Sequence, residues 1–355
     1  LNVPIEENAV IVSDYDQKID CNESPTLIFG CTTGAPMVYP SQHPQNLEAA
    51  VIKRLVHQRE VDKEMSLLFA RFIDLQIENM PQFDVGLSTH AREAYLRANY
   101  SAKQLENMRN TRSKLTDKYK MFVKKEVYVG KFEENFKPRM IWSAPPSLIL
   151  EVGPEFAYLG KQLKNWWKQD NVHYTSGETP ASLGKLAEEL RKYPYCYESD
   201  VSSWDGSLPP VAIEGELKFV LSKVTGLSNK FMTEYIPRWS ECAGRTRDGK
   251  LMVKTEHKRR SGDPWTSAFN SMINVWITKF AYDLEGTDHA IVVLGDDNII
   301  CSNKPLNVTL ATSRYNALGM KVEIIQRYSI EKASYCSGWF WKVDGQLVWG
   351  NSPMK

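Results

Sequence analysis

The sequence predicts an α+β protein in which helices flank antiparallel strands, and three observations carry that reading. Ile291 to Ile300 sets two β-branched apolar runs on either side of Gly295, Asp296, Asp297 and Asn298, the pattern of strand, tight turn and strand. Tyr195, Cys196 and Tyr197 suit a short strand, followed by apolar residues at helical spacing at Val211, Ile213, Leu217, Val220 and Leu221. Long helical periods begin at Asn46 and again after Pro264.

Residues 1–46 read as turn-rich and extended, with Thr32, Thr33, Gly34 and Pro36 breaking any helix. Asn46 can cap a helix through Leu47, Ala50, Val51, Arg54 and Leu55 that continues to Leu67, Leu68 and Phe72. A second helical segment, from about Ser88 to Tyr119, is amphipathic and rich in cations. Between Lys114 and Arg139 eight cations stand against four acids, and the stretch ends Phe136-Lys137-Pro138-Arg139-Met140-Ile141-Trp142. Pro138 enforces an extended approach to a buried strand at Met140 to Trp142, which projects Arg139 from a rigid base. Such a run is either a solvated face or a phosphate-binding strand, for which Arg offers a planar fork and Lys a point charge. Residues 149–192 read as two helical pieces parted by a turn at Ser176 to Pro180, with Trp166 and Trp167 assigned to packing rather than to base stacking.

Asp200 then sits at the end of the Tyr195 strand, and Asp205 starts the next helix. A helix N-terminus accounts for Asp205 but leaves Asp200 without a reason. From Arg245 to Arg260 seven cations face Asp248 and Glu256, with Asp248-Gly249 a hairpin signal. Ser261-Gly262-Asp263-Pro264 is a loop feeding a helix whose apolar face includes Phe269, Ile273, Trp276, Ile277 and Phe280, while Thr266 and Asn270, four apart, share a face. The Asp296-Asp297 turn holds adjacent carboxylates that repel when ionised, so it is either solvated or neutralised by a cation. A cation shared with Asp200 would give that residue its purpose.

A length of 355 residues suits two to three domains or one large multi-lobed domain. Hydrophobic residues at 42% and charged residues at 25% are ordinary for a soluble globular protein and argue against disorder. The net charge of +1 means that any nucleic-acid partner must be met by local basic surface. Six cysteines without a Cys-x-x-Cys pair argue against a zinc ribbon or a disulfide scaffold and for a reducing compartment. No apolar run approaches the roughly 18 residues of a membrane span, and the acidic start lacks a signal peptide's apolar core. The first residue is Leu, which suggests a piece of a longer polypeptide.

The order of these stretches resembles a known family. Asp200-x4-Asp205 at a strand end, a basic hairpin into Ser261-Gly262-x3-Thr266-x3-Asn270, and Gly295-Asp296-Asp297 on a hairpin are similar to motifs A, B and C of the RNA-dependent RNA polymerases of positive-strand RNA viruses. The upstream Lys/Arg strand resembles motif F, Leu318-Gly319-Met320-Lys321-Val322-Glu323 resembles motif D, and Ala333-Ser334-Tyr335-Cys336-Ser337 resembles motif E. Motif F, Gly30-Cys31 and Asn46-Leu47-Glu48 look most like the tombusvirus-like polymerases, with noda-like ones second. The resemblance covers roughly residues 25–345 and departs from the family in having Tyr335 where Phe is commoner and fewer than 20 residues after motif E.

The resemblance implies a right-hand polymerase. Residues 1–145 would be an N-terminal extension and fingers with motif F at 124–142, residues 146–194 fingers and palm helices, and residues 195–345 an antiparallel palm sheet flanked by helices, with a fingers insertion at about 225–260. Residues 346–355 would begin a truncated or minimal thumb. It further implies RNA-directed nucleotidyl transfer with Mg²⁺, or Mn²⁺ in its place, on Asp200 and Asp296, with Asp297 accessory and the Val201 carbonyl a further contact. Arg139, Lys125 and Lys137 would hold the triphosphate. Asp205, Ser261, Gly262, Thr266 and Asn270 would recognise the incoming nucleotide, with Asp205 and Asn270 pairing to each other or to the sugar, and Lys321 would serve as general acid, with Arg327 in an alternative electrostatic role. The implied partners are RNA template and product, NTPs and other viral replication proteins, in the host cytoplasm or at membrane-associated complexes reached through partners. The alternatives are an RNA-binding but inactive polymerase fragment and a reverse transcriptase. Reverse transcriptases typically carry Tyr-x-Asp-Asp, whereas Leu294 and Gly295 precede the two aspartates here.

Overall fold

The structure is a computed structural model and describes residues 9–13, 26–28, 37–40, 42, 44–56, 59–126, 128–129 and 138–352. The Thr32 to Pro36 breakers, Gly30, Cys31 and Lys137 lie outside the described residues. Short strands β1 (Val10–Ser13), β2 (Thr26–Ile28) and β3 (Met37–Tyr39) precede helix α1 (Pro44–Arg54). The single helix expected from Asn46 to Phe72 is two, because Asp62 caps a fresh start: its carboxylate accepts from the Met65 amide at 2.7 Å and opens α2 (Lys63–Glu78). Strand β4 (Phe83–Asp84) follows. The segment expected from Ser88 to Tyr119 also divides. Ser88 caps α3 (Thr89–Asn99), a Ser101–Gln104 capping box begins α4 (Ala102–Asn110), and Tyr119 opens strand β5 (Tyr119–Val123) rather than closing a helix.

After β6 (Tyr128–Val129) and β7 (Met140–Ser143) comes the long helix α5 (Pro146–Trp167). Between it and α6 (Pro180–Leu190) lies a strand absent from the expectation, β8 (Val172–Tyr174), too short to show a period of its own. Trp167 is buried edge-on against Tyr174, in keeping with a packing role. Strand β9 (Tyr195–Val201) ends beside Asp200 as expected, but Asp205 does not start the following long helix. It lies in the single turn α7 (Trp204–Ser207), and Pro209-Pro210 restarts the chain as α8 (Pro210–Lys223), where a proline costs no hydrogen bond.

Strand β10 (Val224–Thr225) pairs with β4, and β11 (Glu241–Thr246) and β12 (Leu251–Glu256) form the Asp248-Gly249 hairpin, with Gly249 at φ 76°. They build a five-stranded sheet in the order β1-β12-β11-β5-β7, which joins the two cation-rich stretches. Helix α9 (Thr266–Tyr282), the hairpin β13 (His289–Leu294) and β14 (Asp297–Ser302), helix α10 (Val308–Ala317) and β15 (Val322–Arg327) follow. A last small sheet holds β16 (Ser334–Tyr335), β17 (Gly338–Val343) and β18 (Gln346–Asn351).

The central sheet runs β15-β9-β14-β13-β8, antiparallel except for β8 beside β13. Both faces of its inner strands β13 and β14 are buried. Tyr197, Ile291, Val293 and Ile300 pack with α9 and α10, while Cys196, Ala290, Val292, Ile299 and Cys301 pack with Leu183, Ala187 and Leu190 of α6. Burial on both sides is the reason the two runs around the Gly295 turn are continuously apolar instead of alternating. Helix α6 in turn carries the last sheet so closely that a Cβ on Gly184 would lie 1.8 Å from the Leu347 carbonyl oxygen.

Two buried helical glycines give opposite expectations. Gly184→Ala must push α6 off β18 and should destabilise the protein by about 1–3 kcal/mol. At Gly160 the new methyl would meet the Ala268 Cβ at 3.7 Å, an ordinary contact, so Gly160→Ala should stabilise it by about 0.5–1 kcal/mol. Denaturant unfolding of the two variants checks both signs.

Candidate active site

The acidic residues meet at one end of the central sheet because of strand register. Asn298 pairs with Ser199 across β14 and β9, so one step further the same register sets Asp297 alongside Asp200. On the other edge of β9, Asp200 pairs with Glu323 of β15. All three carboxylate residues are exposed. Residues directly opposite in an antiparallel pair share a face and repel when alike in charge, so this row is costly unless a cation or solvent offsets it. Gly295 and Asp296 form the two-residue turn of the hairpin, with Leu294 opposite Asp297, and Gly295 takes φ 63°, the conformation a first turn position of this kind requires.

The turn is held from behind by helix α9. The Asn274 amide nitrogen donates to the carbonyls of Gly295 at 3.0 Å and Asp296 at 2.9 Å. Its oxygen accepts from Asn298 at 2.5 Å and Thr278 at 3.3 Å. The Gly295 amide donates to Ser271 Oγ at 2.8 Å, and Ser271 donates onward to the Ser267 carbonyl. Asn274, Ser271 and Thr278 are fully buried. None of these residues was picked out from the sequence. Their signal was there: Ser267, Ser271, Asn274 and Thr278 fall at spacings of four, three and four along a mostly apolar helix, a polar stripe at helical period.

Asp205 and Asn270 do come together, the Asn270 amide nitrogen donating to Asp205 Oδ1 at 3.3 Å. Loss of water and then the Asp296 charge push the Asp205 carboxyl up to about 6, against the opposing pull of Arg259, the Asn270 hydrogen bond and Arg139. The carboxylate therefore feels both the catalytic-looking turn and the upstream basic strand. Burial, followed by the charges of Asp297 and Asp296, likewise pushes the Cys336 thiol up to about 12, so Cys336 lies within range of both charges. Its neighbour Tyr335 hydrogen-bonds Thr175 Oγ1 at 2.6 Å, and the Thr175 amide donates to the Val293 carbonyl. The hydroxyl that distinguishes Tyr335 from Phe thus ties this segment to β13.

The loop at Ser261 and Gly262 lies directly on β7. Trp142 donates its amide to Ser261 Oγ at 3.3 Å, and a Cβ on Gly262 would fall 1.8 Å from the Trp142 carbonyl oxygen. Thr266 turns inward, its hydroxyl donating to the Arg260 carbonyl. Arg139 is half-exposed, its carbonyl accepts from the Lys124 amide, and its guanidinium stands 3.6 Å from Glu126. Lys125 is exposed. Lys321 enters through its backbone, accepting from the Ser202 amide at 2.9 Å, while its residue is exposed at the start of β15. Arg327 is paired with Glu198 at 2.6 Å. Arg59, also missed, donates to the Ser202 and Gly319 carbonyls, each at 3.2 Å, and so stitches the loops after β9 and α10 together.

Among the described residues no three His, Cys, Asp or Glu side chains are gathered so as to hold a metal by themselves. What the sheet end offers is one face carrying Asp200, Asp297 and, at the turn, Asp296, whose charge already raises its neighbours. That suits a hard cation completed by substrate oxygens, since Mg²⁺ is commonly held by one or two carboxylates plus phosphate.

The family model described as RNA dependent RNA polymerase matches residues 43–355. The chain is 27% identical to the RNA replication protein of Potato virus S (strain Peruvian) over 252 residues, covering 69% of this chain and 67% of that protein. It is 26% identical to the RNA replication polyprotein of Blueberry scorch virus over 250 residues, 69% of this chain and 12% of the polyprotein. It is 27% identical to the replicase polyprotein 1ab of Grapevine leafroll-associated virus 3 over 181 residues, 51% of this chain and 6% of that polyprotein. The chain thus spans only a small part of the two polyproteins it matches. With the family model running from α1 to the end of the chain, over residues that include Asp200, Asn270 and Asp296, this protein belongs to the RNA dependent RNA polymerase family.

Proposed function

We propose that the chain performs template-directed nucleotidyl transfer, joining NTPs to an RNA 3′-hydroxyl for viral genome replication. The observation that carries this reading is the meeting, at one sheet end, of the Asp296 turn, Asp200 and the Asp205–Asn270 pair. In this reading the central sheet is the palm, the β1-β12-β11-β5-β7 sheet belongs to the fingers, and β16–β18 lead from motif E toward the thumb. The relatives named above come from viruses other than the tombusvirus-like group, and Gly30 and Cys31 lie outside the described residues, so the subgroup rests on the form of the motifs alone.

Asp200 and Asp296 would be the principal Mg²⁺ or Mn²⁺ ligands, with Asp297 and the Val201 carbonyl accessory. When bound, two such ions activate the attacking oxygen and stabilise the leaving one. The chain's own residues do the rest. Asn274 and Ser271 hold the Asp296 backbone still, so the carboxylate is aimed before substrate arrives. Arg139, with Lys125 and Lys137, neutralises the triphosphate, and Lys321 delivers a proton to the departing pyrophosphate. Asp205 and Asn270 meet the ribose. The remaining cations of the two basic stretches follow the template and product backbones without regard to sequence. No helix among the described residues is long and apolar enough to cross a membrane. We place the protein in the host cytoplasm, with any membrane-associated replication complex reached through partners.

Asp296→Ala should lower NTP incorporation on an RNA template by at least about a hundredfold, with Asp297→Ala milder; incorporation by Asp296→Ala equal to that of the unsubstituted chain would refute the role. Chelation of divalent cations should stop incorporation, and Mg²⁺ or Mn²⁺ should restore it. Asn274→Ala leaves the turn carbonyls and Asn298 without their partner. Its expected signature is a fall in kcat of about tenfold with RNA affinity unchanged, measured by single-turnover extension and filter binding.

A further inference from the structure

The orientation of one buried amide is dictated by chemistry. Arg259 is 2% exposed, and its Nε stands 2.7 Å from an oxygen of Asn270, itself 5% exposed. A guanidinium has donors and no acceptor, so the Asn270 atom facing it must be the carbonyl oxygen. The amide nitrogen is then turned to Asp205 Oδ1, at 3.3 Å. Arg259 grips the other member of the pair as well, its backbone amide donating to the Asp205 carbonyl at 2.9 Å. Behind it, Nη2 is bonded to Glu216 on α8, whose residue has no exposed surface. A buried ion pair seldom gains stability over an apolar pair of the same shape. What this one supplies, beneath Asn270, is direction.

We propose that Arg259, braced by Glu216, is a positioning residue for ribose selection: it holds the Asn270 amide with its nitrogen toward Asp205, so that Oδ1 is engaged and Oδ2 is the acceptor left for the 2′-hydroxyl of the incoming nucleotide. The inference rests on the reading of Asp205 and Asn270 as the ribose-facing pair. A deoxynucleotide would leave that oxygen without its donor, the kind of loss by which polar sites discriminate strongly. Without Arg259 the amide can rotate, and Asp205 then faces a carbonyl oxygen part of the time. The acceptor is no longer defined, and selection weakens while the metal-binding carboxylates stay in place.

The test compares ATP with dATP in the full chain, as kcat/KM for incorporation on an RNA template and, independently of turnover, as affinities by calorimetry. Arg259→Met should reduce the ATP to dATP preference by about tenfold, mainly through the KM for ATP. Arg259→Lys, which still offers only donors, should retain part of the preference, and Glu216→Gln should lose about threefold. If Arg259→Met keeps the wild-type unfolding midpoint and the full preference while Asn270→Ala loses it, the positioning role is wrong. Should Asn270→Ala and Asp205→Ala also keep the preference, it is the ribose reading that fails, and this inference with it. If Arg259→Met does not fold, an unchanged preference in both Arg259→Lys and Glu216→Gln overturns the proposal.

Discussion

Asn274 spends one buried side-chain amide on four hydrogen bonds, and the site depends on them. Two go to the carbonyls of the Gly295–Asp296 turn and two are accepted from Asn298 and Thr278. The backbone groups of a tight turn at a sheet end are ordinarily satisfied by water. Here a helix reaches them first, and a buried polar group so fully satisfied confers rigidity that solvent cannot. The two exposed aspartates therefore stand on a turn that cannot easily yield, although their carboxylates repel one another and Asp200.

That arrangement needs a sheet packed on both faces. With α9 on one side and α6 on the other, the strands β9, β13 and β14 have no freedom to slip, since a shift by one residue would exchange every side chain between two apolar layers of different shape. Register in turn decides which acids are neighbours: Asp297 beside Asp200, and Glu323 on its other side. The same packing brings Tyr335 onto Thr175 and Cys336 within range of the aspartates' charges, so the segment after β15 is referred to the same turn. Helix α9 serves both roles, its apolar positions filling the core and its polar stripe and Asn270 fixing the site.

The nearly neutral net charge conceals a separation of sign. Acids gather at the end of the central sheet, while the basic stretches lie on the sheet joined by β5, β7, β11 and β12. Gly262 is what lets the two approach, because any side chain there would collide with the Trp142 carbonyl. With that contact made, Arg139 comes near enough to lower the Asp205 carboxyl against the opposing effect of burial and of Asp296.

Local order along the chain was enough to read the α+β class, the Gly295 hairpin, the Asp248-Gly249 hairpin and the strand ending at Asp200, because each is written in neighbouring residues or in a period, whereas Asp205 and Asn270 came together as candidates only through the family resemblance. The three-residue strand β8 was not legible, since so short an edge strand shows no period, whereas the helix starts at Asp62, at Ser101-x-x-Gln104 and at Pro210 carry cap and proline signals that the long helical periods masked. Only the tertiary structure decided that Glu323 flanks Asp200, that Arg327 is bound to Glu198, that Arg59 joins two loops and that Arg259 turns the Asn270 amide. These depend on register and on which faces of distant elements meet. A sequence specifies those relations through the packing of the whole core, so no stretch of it displays them alone.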